Sequence, residues 1–189
     1  MLTPPLLRSY FDKGLSFSDY IKSGSESQQE NWINADKRIS LRPEQVSLLA
    51  SFSRHMPVLV ISGMWCGDCA QQVPIFRHFA DASKNIELRI IDRDKGIELS
   101  NMVKICGGNR VPTVIFMNEE FDLIGLYGDN SLSRMRAKAA KQLGASCMLP
   151  SAVVPTDEMA MGISDWLGEF ERAQLLCRLS TKLRAKHND

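Results

Sequence analysis

Residues 65–69 read Trp65-Cys66-Gly67-Asp68-Cys69, and the segments on either side of them decide the fold. Just upstream, Val58-Leu59-Val60-Ile61-Ser62 is a short unbroken apolar run, the pattern of a strand buried on both faces. Downstream, a helix is expected to about Ser83. The cysteines therefore fall where a strand gives way to a helix. That place has a chemical use. The first turn of a helix carries free backbone N–H groups and a partial positive charge, which stabilise a thiolate and lower the pKa of Cys66. Cys69, one turn on, can close a small disulfide with Cys66. In such a pair Cys66 attacks a substrate disulfide and Cys69 resolves the mixed disulfide that results.

Further from this stretch, Ile86-Glu87-Leu88-Arg89-Ile90-Ile91 reads as a second strand. A second helix is expected from Ile97 to Ile105, ended by Gly107 and Gly108 as left-handed caps. Val114-Ile115-Phe116-Met117 is a third strand, and the turn Asn118-Glu119-Glu120 leads into a fourth, Leu123-Ile124-Gly125-Leu126-Tyr127. A last helix starts near Ser131 and ends near Gly144. This β-α-β-α-β-β-α order predicts an α/β fold with a mixed sheet and helices on both faces, its first strands joined by crossovers and its last pair by a hairpin.

The two ends are less regular. In residues 1–55, Tyr10, Phe11, Leu15, Phe17, Tyr20 and Ile21 supply apolar anchors, Ser23 to Glu30 reads as a polar linker or loop, and Pro43 opens a helix reaching about Arg54. After a proline-bounded connector at 150–155, a long helix starts with Thr156 as its N-cap. It carries a stripe of Met159, Ile163, Trp166, Leu167, Phe170, Leu176, Leu179 and Leu183. Such a stripe packs onto the domain, or it serves a homodimer or a docked partner; the pattern alone does not separate these. Arg178, Lys182, Arg184 and Lys186 complement the negative end of that helix. The division expected is a helical extension at 1–55, a central domain at 56–149 and a second helical extension at 150–189.

Composition narrows the class. The chain has 189 residues, 44% of them hydrophobic, and a formal charge of +1, so nothing in bulk attracts nucleic acid or an anionic membrane. No apolar stretch is long enough to span a bilayer, and the start, MLTPPLLRSYFDKG, lacks the long apolar core of a signal peptide, so a cytoplasmic protein is expected. The five cysteines are odd in number and only Cys66 and Cys69 are close, which is not a secreted disulfide framework.

Trp65-Cys66-Gly67-Asp68-Cys69, with Pro74 five residues after the second cysteine, resembles the active-site helix of the thioredoxin-like superfamily. Arg110-Val111-Pro112-Thr113, directly before a strand, is similar to the loop whose proline is cis and sits against the disulfide in that family. Over residues 56 to 145 the resemblance implies a thioredoxin-like three-layer α/β/α sandwich, here extended by N- and C-terminal helices. It implies a thiol–disulfide oxidoreductase with Cys66 and Cys69 catalytic. Around them, Trp65, Gly67 and Asp68 would face substrate, Val111 would offer its backbone to an extended substrate segment, Pro112 would shape the groove, and Gly128 would stand on its rim.

The reaction so implied reduces protein or small-molecule disulfides. It needs an external reductant and no cofactor beyond the Cys66–Cys69 couple. A binding module that holds a partner in the Pro112 groove, with the cysteines as a redox switch, is the alternative. Half a zinc site is a third reading. It is disfavoured because zinc sites want four ligands, and neither a second CxxC nor a cluster of His55, His78 and His187 supplies them.

The sequence also departs from the family. Asp68 replaces the usual proline between the cysteines; it would oppose the Cys66 thiolate, select basic or neutral substrates, accept a proton, or simply stand solvated in the first turn. The family's buried acid aligns to Val60 and its partner lysine to Leu88, so Cys69 lacks its usual base. Cys106 is six residues before Pro112; it is either a third redox thiol or, as free cysteines usually are, a small buried residue. Cys147 and Cys177 carry no signal. His78 is too far along its helix to be a base, and Trp65 is expected to pack beside the thiol.

Overall fold

A computed structural model describes residues 1–143 and 156–189. Four N-terminal helices come first: α1 (Pro4–Lys13), α2 (Phe17–Lys22), α3 (Glu26–Asp36) and α4 (Pro43–Ala50). The central run is β1 (Met56–Ser62), α5 (Gly67–Ala82), β2 (Ile86–Asp92), α6 (Ile97–Met102), β3 (Thr113–Met117), β4 (Leu123–Gly128) and α7 (Leu132–Leu143). It closes with α8 (Glu158–Leu179) and α9 (Thr181–His187). The end of the helix near Gly144, the connector at 150–155 and Cys147 lie outside the described residues.

The sheet order is β2-β1-β3-β4, with β1 parallel to β2 and antiparallel to β3, and β3 antiparallel to β4. The unbroken apolar run of β1 is buried along its whole length because it sits inside the sheet with helices on both faces. This is the mixed α/β sandwich expected. On the outer side of β2, Leu15 makes a one-residue bridge to Ile90, with N–H···O distances of 2.8 and 2.9 Å.

Both ends share the central core. Tyr20 and Trp32, from α2 and α3, are buried and meet edge to face at 5.5 Å. From α8, Phe170 meets Phe76 and Phe79 of α5 and Phe116 of β3 at 5.7, 5.1 and 4.8 Å. Gln174 caps the backbone entering β1: its Oε1 accepts from Arg54 N at 2.8 Å and its Nε2 donates to Arg54 O at 3.0 Å.

Several boundaries differ from expectation. Ser23 to Glu30 is not a linker, because Ser25 and Gln28 form a capping box that starts α3. α4 stops at Ala50, short of Arg54. α6 ends at Met102. The glycines after it belong instead to a tight turn, Ile105 to Gly108, in which Cys106 and Gly107 take φ of 47° and 73° and the ends exchange two 3.0 Å hydrogen bonds. Asp157, not Thr156, caps α8 by accepting from Ala160 N at 3.0 Å. The C-terminal helix breaks at Ser180, whose side chain caps α9.

The stripe divides as well. Ile163, Trp166, Leu167, Phe170, Ala173 and Cys177 follow the inward face, while Leu176 and Leu179 fall on the other face and are exposed. Lys182, Lys186 and His187 do more than complement a helix end. They pair with Asp122, Glu120 and Glu119 of the β3–β4 turn.

Candidate active site

Cys66 is the N-cap of α5. Its Sγ accepts a hydrogen bond from the backbone N–H of Cys69 at 3.3 Å, and its thiol lies 3.6 Å from the carbonyl oxygen of Val111, to which it donates. A cap position suits a sulfur that must carry charge, because the N–H groups it meets have no partner in the helix. Cys66 is half-buried and Cys69 wholly buried one turn behind it. Both are free thiols.

The two sulfurs are driven apart in acidity. The hydrogen bond from the Cys69 thiol, helped by the backbone N–H groups of Cys69 and Asp68, pulls Cys66 from the ordinary 9.0 down to about 6, against burial and the Asp68 charge. Burial pushes Cys69 far up, and the neighbouring Cys66 sulfur adds to that. At neutral pH the outer sulfur is largely a thiolate and the inner one a neutral thiol.

The loop facing them has the expected form. The Val111–Pro112 bond is cis, and both residues are buried. Gly128, at the end of β4, is paired with Thr113, and a Cβ there would stand 2.6 Å from the Pro112 carbonyl oxygen and 3.0 Å from Ile105 Cδ1. Only a residue without a side chain lets the two backbones approach this closely.

Two of the remaining expectations change. Asp68 is not a solvated acid. Its Oδ1 accepts from Arg134 Nε at 2.9 Å and Nη2 at 2.7 Å, and its Oδ2 accepts from Lys138 Nζ and, at 3.5 Å, from Asn130 Nδ2. Burial disfavours its charge, but Lys138 and Arg134 outweigh that and hold its pKa below the ordinary 3.8. Cys106 is exposed rather than buried, because it occupies the tip of a turn. Trp65 is 55% exposed, and its ring lies under the Arg93 guanidinium at 4.7 Å. Gly67 is exposed, with open space where a Cβ would project. His78 pairs with Asp36 of α3 at 3.2 Å.

Sequence reading passes over several residues that hold the site. Arg134 and Lys138 are one; their four-residue spacing on a helix face is a readable signal. Gln72 is another. Its Nε2 donates to Asp129 O at 3.1 Å and Asn130 Oδ1 at 3.0 Å, while its Oε1 accepts from Ser131 N and Trp166 Nε1, both at 2.9 Å. Trp32 donates through Nε1 to the Met64 carbonyl at 3.2 Å, two residues before Cys66. A cavity of about 320 Å³ lined by Gln72, Arg134 and Trp166 touches neither cysteine, and the polar groups of those three are already paired.

Among the described residues no group of three or more His, Cys, Asp or Glu side chains is placed to hold a metal, and no helix is long and apolar enough to cross a membrane.

A family model described as thioredoxin matches residues 14–141. Among solved structures, a protein of unknown function from Pseudomonas aeruginosa is similar at 23% identity and a TM-score of 0.69, the match covering 92% of this chain and 99% of that one. An HIV epitope-scaffold is similar at 22% identity and a TM-score of 0.59, covering 88% of this chain and 92% of that one. At these identities the likeness shows the fold alone. No curated protein matches the chain.

Proposed function

The chain belongs to the thioredoxin family, and from that premise we propose that it is a thiol–disulfide oxidoreductase that reduces disulfides in the cytoplasm through Cys66 and Cys69. The observation that carries this reading is the split between the two sulfurs: a half-buried Cys66 drawn to about 6 at a helix N-cap, and a buried Cys69 held as a thiol behind it. Cys66 thiolate attacks a substrate disulfide. One substrate sulfur leaves as a thiolate and the other stays bonded to Cys66. Cys69 then attacks Cys66, releasing the second substrate thiol and leaving the Cys66–Cys69 disulfide. Two electrons have passed to the substrate, and an external dithiol must return them.

The Val111 carbonyl fits this sequence. Only the protonated Cys66 thiol donates to it. As the thiolate, which prevails above about pH 6, or in a mixed disulfide, Cys66 has no proton to give, and the carbonyl is free for the backbone of an extended substrate.

The test is a redox titration. The protein is equilibrated in graded thiol–disulfide buffers, quenched by alkylation, and the pair read by mass spectrometry. A reversible two-electron couple at about −270 to −200 mV supports a reductase, and one at about −120 mV makes the protein an oxidant instead. If Cys66 and Cys69 form no reversible disulfide, the redox reading fails. A binding module would then keep its partner in a Cys66→Ser protein, where an enzyme loses turnover.

A further inference from the structure

Cys69 must become a thiolate to resolve a mixed disulfide, and its surroundings oppose this. The position at which the family keeps a buried acid is Val60, wholly buried between Ile90 and Val114 on the neighbouring strands. Asp68 cannot stand in, because both of its oxygens are taken by Arg134, Lys138 and Asn130. The polar neighbours of the Cys69 sulfur among the described residues are Cys66, the Gly63 backbone and the hydroxyl of Ser62.

Ser62 ends β1, where its carbonyl accepts from Arg93 N at 2.7 Å. Its side chain is fully buried and acts electrostatically on both the Cys69 thiol and the Tyr20 phenol, the latter 1% exposed. Yet neither Ser62 Oγ nor Tyr20 Oη makes a hydrogen bond of ordinary geometry with any described residue. Two unpaired buried hydroxyls are costly in a folded core and ask for an explanation. The charged or titratable groups that act on this pair and on Cys69 are Cys66 and, toward Tyr20, Asp92.

We propose that Ser62 is the hydrogen-bond donor to the Cys69 thiolate during resolution, with Tyr20 as the positioning residue that donates to Ser62 Oγ and turns the Ser62 proton toward sulfur. This rests on the dithiol–disulfide reading. In the step, the Cys69–Cys66 S–S bond forms and the bond from Cys66 to the substrate sulfur breaks. The electron pair leaves on the substrate thiolate. The Cys69 proton passes to that thiolate, or to water when the thiolate is weakly basic. Ser62 keeps its proton throughout and stabilises the charge that develops on Cys69. Ser62 is idle in the reduced resting state because its acceptor, the Cys69 thiolate, exists only during turnover, and Tyr20 engages Ser62 Oγ when Ser62 turns its proton to that sulfur.

The test uses a bis(nitrobenzoate) disulfide, which releases one coloured thiolate when Cys66 attacks and a second when Cys69 resolves. With exposed Cys106 replaced by serine throughout, so that it releases no thiolate of its own, rapid mixing separates the phases for the otherwise wild-type protein, Ser62→Ala and Tyr20→Phe. In Ser62→Ala the first phase is unchanged, the second is roughly tenfold slower or more, and its rise with pH moves to higher pH. Tyr20→Phe slows the second phase in the same direction by less. A general loosening of the fold would disturb the first phase and leave the pH profile in place. A second phase of wild-type rate and pH dependence in Ser62→Ala overturns the assignment to Ser62. If Ser62→Ala does not fold, Tyr20→Phe decides: a slowed second phase supports the proposal and an unchanged one overturns it. A wild type that releases no second thiolate overturns the dithiol reading itself, and this proposal with it.

Discussion

Arg134 reaches from α7 to grip Asp68 in the first turn of α5, placing Nε and Nη2 at 2.9 and 2.7 Å from the same carboxylate oxygen. Glu158 pairs with the remaining end of that guanidinium and Lys138 with the other Asp68 oxygen, so two acids and two bases surround the start of the active-site helix. An acid between the cysteines is thereby compensated and does not act on Cys66 as a bare charge.

Replacing Asp68 tests that balance. In Asp68→Asn, Arg134 and Lys138 lose their counter-charge, and Cys66 loses the one acid that raises its pKa. The Cys66 pKa should fall below about 6, and stability at neutral pH should drop by about 1–3 kcal/mol, the range for a partly buried pair broken on one side. Asp68 is held below its ordinary 3.8, so its ion pairs contribute above that value and fade as pH falls through the lowered pKa. The gap between the two proteins should therefore close in strong acid. Urea unfolding at several pH values measures it; equal stability at neutral pH would show the cluster to be ornamental.

Alkylation by iodoacetamide should follow the Cys66 thiolate. Its rate rises as pH climbs through about 6 and levels off by about pH 8. Cys69, pushed up by burial, stays unlabelled across that range. Peptide mapping separates both from exposed Cys106. A midpoint near the ordinary 9.0 would remove the basis for treating Cys66 as the nucleophile.

Adding one methyl at Gly128 should damage the groove. The Cβ would stand 2.6 Å from the Pro112 carbonyl oxygen, a backbone atom that cannot rotate away. Gly128→Ala should cost about 1–3 kcal/mol and slow the reaction of Cys66 with a peptide disulfide more than its alkylation by a small reagent. Unchanged thermal unfolding and unchanged peptide kinetics together would refute the close approach.

Gln72→Leu keeps the side-chain size but strands the Ser131 N–H and the Trp166 indole N–H in a buried site. A loss of about 2–4 kcal/mol is expected from two orphaned donors, read from denaturant midpoints at constant slope. A loss below about 1 kcal/mol would mean that water or another acceptor replaces the amide.

The strands and the cysteine turn are legible in the sequence because local patterns encode them: an unbroken apolar run for β1, a two-residue gap between Cys66 and Cys69, a proline directly before β3. The partners of Asp68 are not, because they lie 66 and 70 residues away and no local pattern joins them. The start of α3 is hidden in a Ser-rich polar stretch whose capping box, Ser25 with Gln28, looks like a loop until its reciprocal bonds are seen. Cys106 misleads for a related reason: the usual burial of free cysteines says nothing about a residue at the tip of a two-residue turn. The Tyr20–Ser62 interaction joins α2 to the end of β1, 42 residues on, and only tertiary packing brings them together.

The bridge between Leu15 and Ile90 carries a consequence for self-association. A sheet with a bare margin can recruit strands from other molecules and grow into aggregates. Here a single residue from the loop between α1 and α2 consumes the donor and acceptor in the middle of the β2 margin. Strand addition along β2 is thus interrupted at Ile90, and among the described strands β4 is the edge without such a bridge.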